Sequence, residues 1–194
     1  MNRILFCTIL ALLSRPAMAQ VELKLDPVAF IFSNYKVYAD IGVSENWSIE
    51  PSVGYLNRKI QLGEGGWGRE RISGRVIGKY YFSPKRGIDG FHIGPYAQYR
   101  KGTRFVEDSE ESVKTERMAI GFYLGYKIAT AKGFVFDAGF GLGRAIFSQF
   151  NGADVSKIPF VNLDGITRLS IGYRFGGGSP APAKKAPPKR NPRR

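Results

Sequence analysis

Side-chain character alternates with a period of two along most of this chain, and the two parities differ in kind. Trp47, Ile49, Pro51, Val53 and Tyr55 interleave with Ser48, Glu50, Ser52 and Gly54. Ile72, Val76, Tyr80 and Phe82 interleave with Arg71, Ser73, Arg75 and Lys79. Met118, Ile120, Phe122, Leu124, Tyr126 and Ile128 interleave with Arg117, Ala119, Gly121, Tyr123, Gly125 and Lys127. The same holds for Phe134–Gly143 and for Arg168–Phe175. Successive side chains of a strand point to opposite faces, so each run is a strand with one apolar face and one face of glycine and ions. No segment carries a convincing helical period.

The runs predict strands near 21–32, 35–43, 47–60, 71–83, 91–104, 113–129, 134–148 and 161–175. The division at Ser33-Asn34 is the weakest boundary, since one long first strand would leave seven. Ser44–Asn46, Pro84–Gly90 and Thr130–Gly133 are short or turn-rich connections, whereas Gln61–Glu70, Phe105–Ser112 and Gln149–Phe160 are longer and polar. Eight strands with short turns at one end and long loops at the other predict an all-β, eight-stranded antiparallel transmembrane β-barrel.

A soluble sandwich also has an apolar and a polar face, so alternation alone leaves both open. The aromatic residues Trp47, Phe82, Phe91, Tyr126, Phe134, Tyr173 and Phe175 share the apolar face at the short-turn end, the pattern of a girdle at a membrane interface. The other face holds ions of both signs: Lys36, Asp40, Glu50, Arg71, Arg75, Lys79, Arg100, Arg117, Lys127, Asp137, Asp164, Arg168 and Arg174. An eight-stranded barrel has an interior just wide enough for side chains to fill it. A lumen ion network is therefore expected, with Glu50, Arg75, Lys79, Arg100, Arg117, Asp137 and Arg168 as its members. On the lipid face a central Arg or Lys costs roughly 2–4 kcal/mol. The ions of that parity, Lys59, Lys101, Lys114, Glu116 and Arg144, lie toward the outer strand ends.

Residues 1–19 read as a secretory signal peptide: Asn2 and Arg3, an apolar run Ile4–Leu13, and Ala17-Met18-Ala19 before the expected start at Gln20. Cys7 lies inside that run, which leaves the mature chain without a thiol for a disulfide or a thiolate-bound metal. Removing Arg3 and Arg15 lowers the formal charge from +13 to +11, and setting aside the six bases of 176–194 leaves +5. Export and the tail location of half the excess argue against a nucleic-acid partner. The tail itself, with five prolines among its bases, is expected to be a disordered periplasmic arm. Peptidoglycan or a periplasmic protein are its candidate partners.

The segment Thr167–Phe175 resembles the terminal signal read by the barrel-assembly machinery, carried here by Leu169, Ile171, Tyr173 and Phe175, although nineteen residues follow it. Lys79–Arg86, Gly90–Tyr96 and Tyr99-Arg100, with Trp47-Ser48 and Leu25-Asp26-Pro27, further resemble a family of small outer-membrane barrels catalogued as a domain of unknown function. That resemblance implies an eight-stranded barrel, architecturally like the transmembrane part of outer-membrane protein A, and no assigned activity.

Three local features invite a chemical reading. His92, the sole histidine, has no serine at a useful spacing on its strand face and reads as a structural lumen residue. Glu107, Asp108, Glu110 and Glu111 form an acidic outer loop, read as a solvated segment, with the bridging of divalent cations to lipopolysaccharide phosphates as the alternative. Gly63, Gly65, Gly66 and Gly68 around Trp67 lack the strand-then-helix setting of a phosphate loop. The expectation is a non-enzymatic integral outer-membrane protein without cofactor or metal, in contact with outer-membrane lipid and lipopolysaccharide. The alternatives are a lipid-modifying enzyme of the same membrane and a secreted lipocalin-like binder, the latter requiring inverted faces.

Overall fold

The computed structural model describes residues 20–62, 65–106, 112–151, 153–154 and 162–176. The expected signal peptide, most of the basic tail and the acidic residues at 107, 108, 110 and 111 lie outside them. The strands are β1 (Val21–Leu25), β2 (Asn34–Gly42), β3 (Trp47–Leu62), β4 (Gly65–Tyr81), β5 (Gly90–Val106), β6 (Ser112–Ala129) and β7 (Phe134–Phe150). A two-residue β8 (Ala153–Asp154) and β9 (Leu163–Phe175) follow. Every pairing is antiparallel. Each strand from β1 to β7 pairs with the next, β9 pairs with both β7 and β1, and β8 adds a short ladder to β7. Up to the level of Leu25, where β1 ends, eight strands thus close into a ring with no free edge, which satisfies the backbone without water.

The apolar parity points outward. On β3 the outward stripe runs from Trp47 to Tyr55, on β5 from Phe91 to Tyr99, on β6 from Tyr126 to Met118 and on β7 from Phe134 to Leu142. Each stripe is nine residues long. At about 3.3 Å per residue and a tilt near 40°, that is a band about 20 Å tall, somewhat short of the roughly 25 Å apolar band of outer-membrane barrels. The aromatic residues at the short-turn rim touch in series: Trp47 with Tyr80, Tyr80 with Phe82, Phe82 with Phe91, and Phe134 with Tyr173. Apolar outside and ionic inside is the arrangement of a transmembrane barrel, not of the inverted lipocalin-like alternative.

Two expectations about the connections are corrected. The first strand does not run to residue 32. It stops at Leu25, and a short helix α1 (Pro27–Ile31) precedes β2. Asp26 accepts a hydrogen bond from the Ala29 amide at 2.8 Å and Pro27 opens the helix, an N-cap and first-turn proline that the apolar run of this segment obscures. Ser33, with φ of 54°, turns the chain into β2. Second, the strands extend into the long polar connections. β3 and β4 stay paired out to Leu62 opposite Gly65, β5 continues to Val106, and β7 reaches Phe150. Above the membrane neither face needs to be apolar, so backbone pairing persists where the alternating pattern has ended. Trp67 accordingly sits on β4 and not in a loop.

Candidate functional site: a lumen in two tiers

The half of the lumen nearer the short turns is filled by a closed set of ions. Glu22 and Lys24 come from β1, Asp40 from β2, Glu50 from β3, Lys79 from β4, Lys127 from β6, Asp137 from β7 and Arg168 from β9. None of these eight side chains has exposed surface. Lys24 Nζ lies 2.8 Å from Asp40, 2.5 Å from Glu50 and 2.9 Å from Asp137. Lys79 Nζ meets the same three carboxylates at 3.0, 2.6 and 3.0 Å. Lys127 bridges Glu22 at 2.8 Å and Asp40 at 2.7 Å, and Arg168 donates to Glu50 and, at 2.6 Å, to Asp137. Toward the short-turn rim Arg174 donates to Glu22 at 2.6 Å. A lone buried ion costs several kcal/mol, so four acids against four bases is the composition that makes this filling tolerable.

Aromatic rings close the set. Arg168 lies 5.0 Å from the Tyr38 ring centroid and 4.9 Å from that of Tyr123, and Lys127 lies 4.8 Å from that of Tyr81. Cations facing ring π-systems gain further from being desolvated. His92 packs between Tyr81 and Tyr123, with Nδ1 3.2 Å from the Gly90 carbonyl and Nε2 3.7 Å from Asp137. Oxygens of Asp40, Glu50 and Asp137 lie within 4.8 Å of one another, a spacing suited to a cation. The ammonium groups of Lys24 and Lys79 already supply that charge. Glycine on the neighbouring strand makes room for the rings: a Cβ on Gly139 would meet the Tyr123 hydroxyl.

Above this layer Ile77, Tyr96, Tyr123 and Ile166 form a small buried apolar cluster across the lumen. Tyr96 donates to Asp164 at 2.9 Å. Beyond it the second tier begins, and it is not balanced. Arg100 pairs with Asp164 at 2.9 Å. Arg75 donates to the Gln98 side chain at 2.8 Å, and Arg117 donates to the Leu163 carbonyl at 2.6 Å.

The seven ions expected to form one network therefore fall into two groups. Glu50, Lys79, Asp137 and Arg168 meet in the lower tier, while Arg75, Arg100 and Arg117 point inward but stand apart from them in the upper one. Sequence reasoning missed Glu22 and Lys24, although the alternation Val21, Leu23, Leu25 against Glu22, Lys24 carries the signal. It also missed the inward tyrosines Tyr38, Tyr81 and Tyr96, and it left the inward Asp40 and Lys127 out of the network. Leu169, Ile171, Tyr173 and Phe175 all face outward, 43–50% exposed. The outward carboxylates Glu70 and Glu116 accept hydrogen bonds from Tyr55 and Tyr99 at the far end of the apolar band.

No protein-family model and no curated protein matches the chain. Among solved structures, the crystal structure of Ail, the attachment invasion locus protein of Yersinia pestis, is similar at 10% identity and a TM-score of 0.47, covering 81% of this chain and 99% of that one. The backbone structure of the Yersinia pestis outer membrane protein Ail in a phospholipid bilayer nanodisc is similar at 14% identity and a TM-score of 0.40, with the same coverage. The closed ladder and its face assignment establish the barrel independently of either comparison.

Proposed function

We propose that this chain is an integral outer-membrane barrel of a Gram-negative-type envelope, exported by its leader, with a structural or surface-interaction role and no catalytic one. The observation that carries this reading is the eight-ion layer without exposed surface, which plugs the lumen from wall to wall. A plugged lumen excludes diffusion, so the useful surfaces are the lipid-facing exterior and the far rim. Reconstituted in planar bilayers, the full-length protein is expected to give no stable stepwise currents. Persistent open-pore conductance would mean that the layer is hydrated and that the protein is a channel.

The enzymatic alternative requires a nucleophile and base open to acyl chains. His92 is fully enclosed, its ring packed between two tyrosines, which favours a structural role. Lipid and lipopolysaccharide are the proposed partners of the apolar exterior, and the basic tail is proposed as a periplasmic contact to peptidoglycan or an acidic protein.

Leu169, Ile171, Tyr173 and Phe175 are proposed as the signal recognised by the assembly machinery. Changing Tyr173 and Phe175 to alanine is expected to lower the amount assembled in cells several-fold, while the purified variant still refolds into detergent. Equal losses in both settings would reduce these rings to packing residues.

A further inference from the structure

The far tier of the lumen contains a charge arrangement that the fold alone does not require. In the β3–β4–β5 ladder Arg58 stands opposite Arg69, and Arg69 stands opposite Arg104. One level lower Arg100 stands opposite Arg117, with Arg71 beside them on the same face. Like charges directly opposite across a ladder are destabilising. Among the described residues the one carboxylate in ion-pair contact with any of these six arginines is Asp164, bound to Arg100. Arg71 Nε and Arg117 Nε are buried and lack a hydrogen-bond partner. Arg168 Nε in the lower tier is unpartnered too, so the contrast between the tiers lies in ion pairing: below, every base meets an acid.

The shape matches the charge. β9 begins at Leu163, β1 ends at Leu25 and β2 begins opposite Leu56, so above that level β3 to β7, with the two-residue β8 paired to β7, continue the wall among the described residues. The arginines line the concave side of this wall, over a floor made by Ile77, Tyr96, Tyr123 and Ile166. Trp67, 44% exposed, shares that side two residues beyond Arg69. Among the described residues the basin is open toward the far side of the membrane, and it is blocked below.

From these positions we infer that the upper tier is a binding basin for multivalent oxyanions, phosphate or sulfate esters borne by a soluble molecule or a polymer. Guanidinium groups match the planar, bidentate geometry of such groups. Lipid headgroups of the protein's own membrane are the less suitable source, because the arginines face away from the acyl chains. The inference deepens the surface-interaction reading above and supplies its ligand class.

The test titrates inorganic tripolyphosphate into the full-length protein refolded in zwitterionic detergent, following Trp fluorescence and calorimetry. Heat-modifiable gel migration reports barrel folding separately, so a misfolded sample is distinguished from a non-binding one. Saturable binding that weakens with added salt is expected, together with a higher melting temperature of the bound barrel. Arg69→Gln with Arg71→Gln is expected to weaken binding at least about tenfold, given the strength of charge-assisted hydrogen bonds. Arg104→Gln, at the exposed lip, serves as a second variant with little bearing on folding. Lys101→Gln makes the same charge change on the outward face and is expected to bind like the parent. No saturable binding by the folded parent, or an equal loss in Lys101→Gln, would overturn the assignment. To separate ligand sources, vesicles containing anionic phospholipid are compared with neutral ones as competitors. Competition by the anionic vesicles alone would show that the arginines reach membrane headgroups and would overturn the soluble or polymer-borne source.

Discussion

Asp137→Ala should be among the most damaging single substitutions in the barrel, lowering stability by about 3–5 kcal/mol, the usual cost of removing one partner from a buried ion cluster. Asp137 faces Lys24 at 2.9 Å, Lys79 at 3.0 Å and Arg168 at 2.6 Å. Its loss leaves Lys24 and Lys79 each with two of three close carboxylates and Arg168 with one of two, and no water to replace the rest. Urea unfolding from lipid vesicles, read by gel mobility, measures the effect. Adding Lys79→Met to Asp137→Leu restores charge balance and fills the space with apolar volume, so the double variant should recover most of the loss. A loss below about 0.5 kcal/mol for Asp137→Ala, the range of ordinary surface substitutions, would mean that the lumen ions are hydrated and the plug is not dry.

The second large effect lies on the opposite face. Phe122 is 68% exposed at the middle of the outward stripe of β6, between Tyr126 and Met118. Phe122→Arg is expected to cost roughly 2–4 kcal/mol in lipid vesicles, because the charge enters the centre of the hydrocarbon. Met118→Arg, at the far end of the same stripe, should cost about 0–1 kcal/mol. The decisive result is the depth dependence. For a protein in water both changes would be near neutral, since each only exposes an arginine on an already exposed surface. Equal effects at the two sites would therefore remove the membrane assignment while leaving the strand ring untouched.

These two substitutions test opposite parities of neighbouring strands, and parity is what could be read directly from the chain. Glu50, Lys79, Asp137 and Arg168 are legible as inward residues because each alternates with aromatic or aliphatic neighbours. The rim at which Trp47, Phe82, Phe91 and Phe134 gather is legible for the same reason, since the turns beside them are short. The helix at Pro27–Ile31 was obscured by apolar residues on consecutive positions, Val28 to Ile31, although Asp26-Pro27 marks its start. The extensions of β3 and β4 were obscured because glycine and charge on both parities carry no period.

The sequence by itself determined the alternation, and with it the face of most strand residues and the end at which the short turns lie. All of these follow from backbone geometry over a few residues. Only the tertiary structure decided which ions meet. Lys24 and Asp137 are 113 positions apart and Glu50 and Arg168 are 118 apart, so their contact depends on the register of every intervening ladder and on closure of β9 against β1. Height within the barrel is a property of that accumulated register, and no local pattern encodes it. The split between a neutral lower tier and an arginine-lined upper one therefore emerges only when the ring is closed.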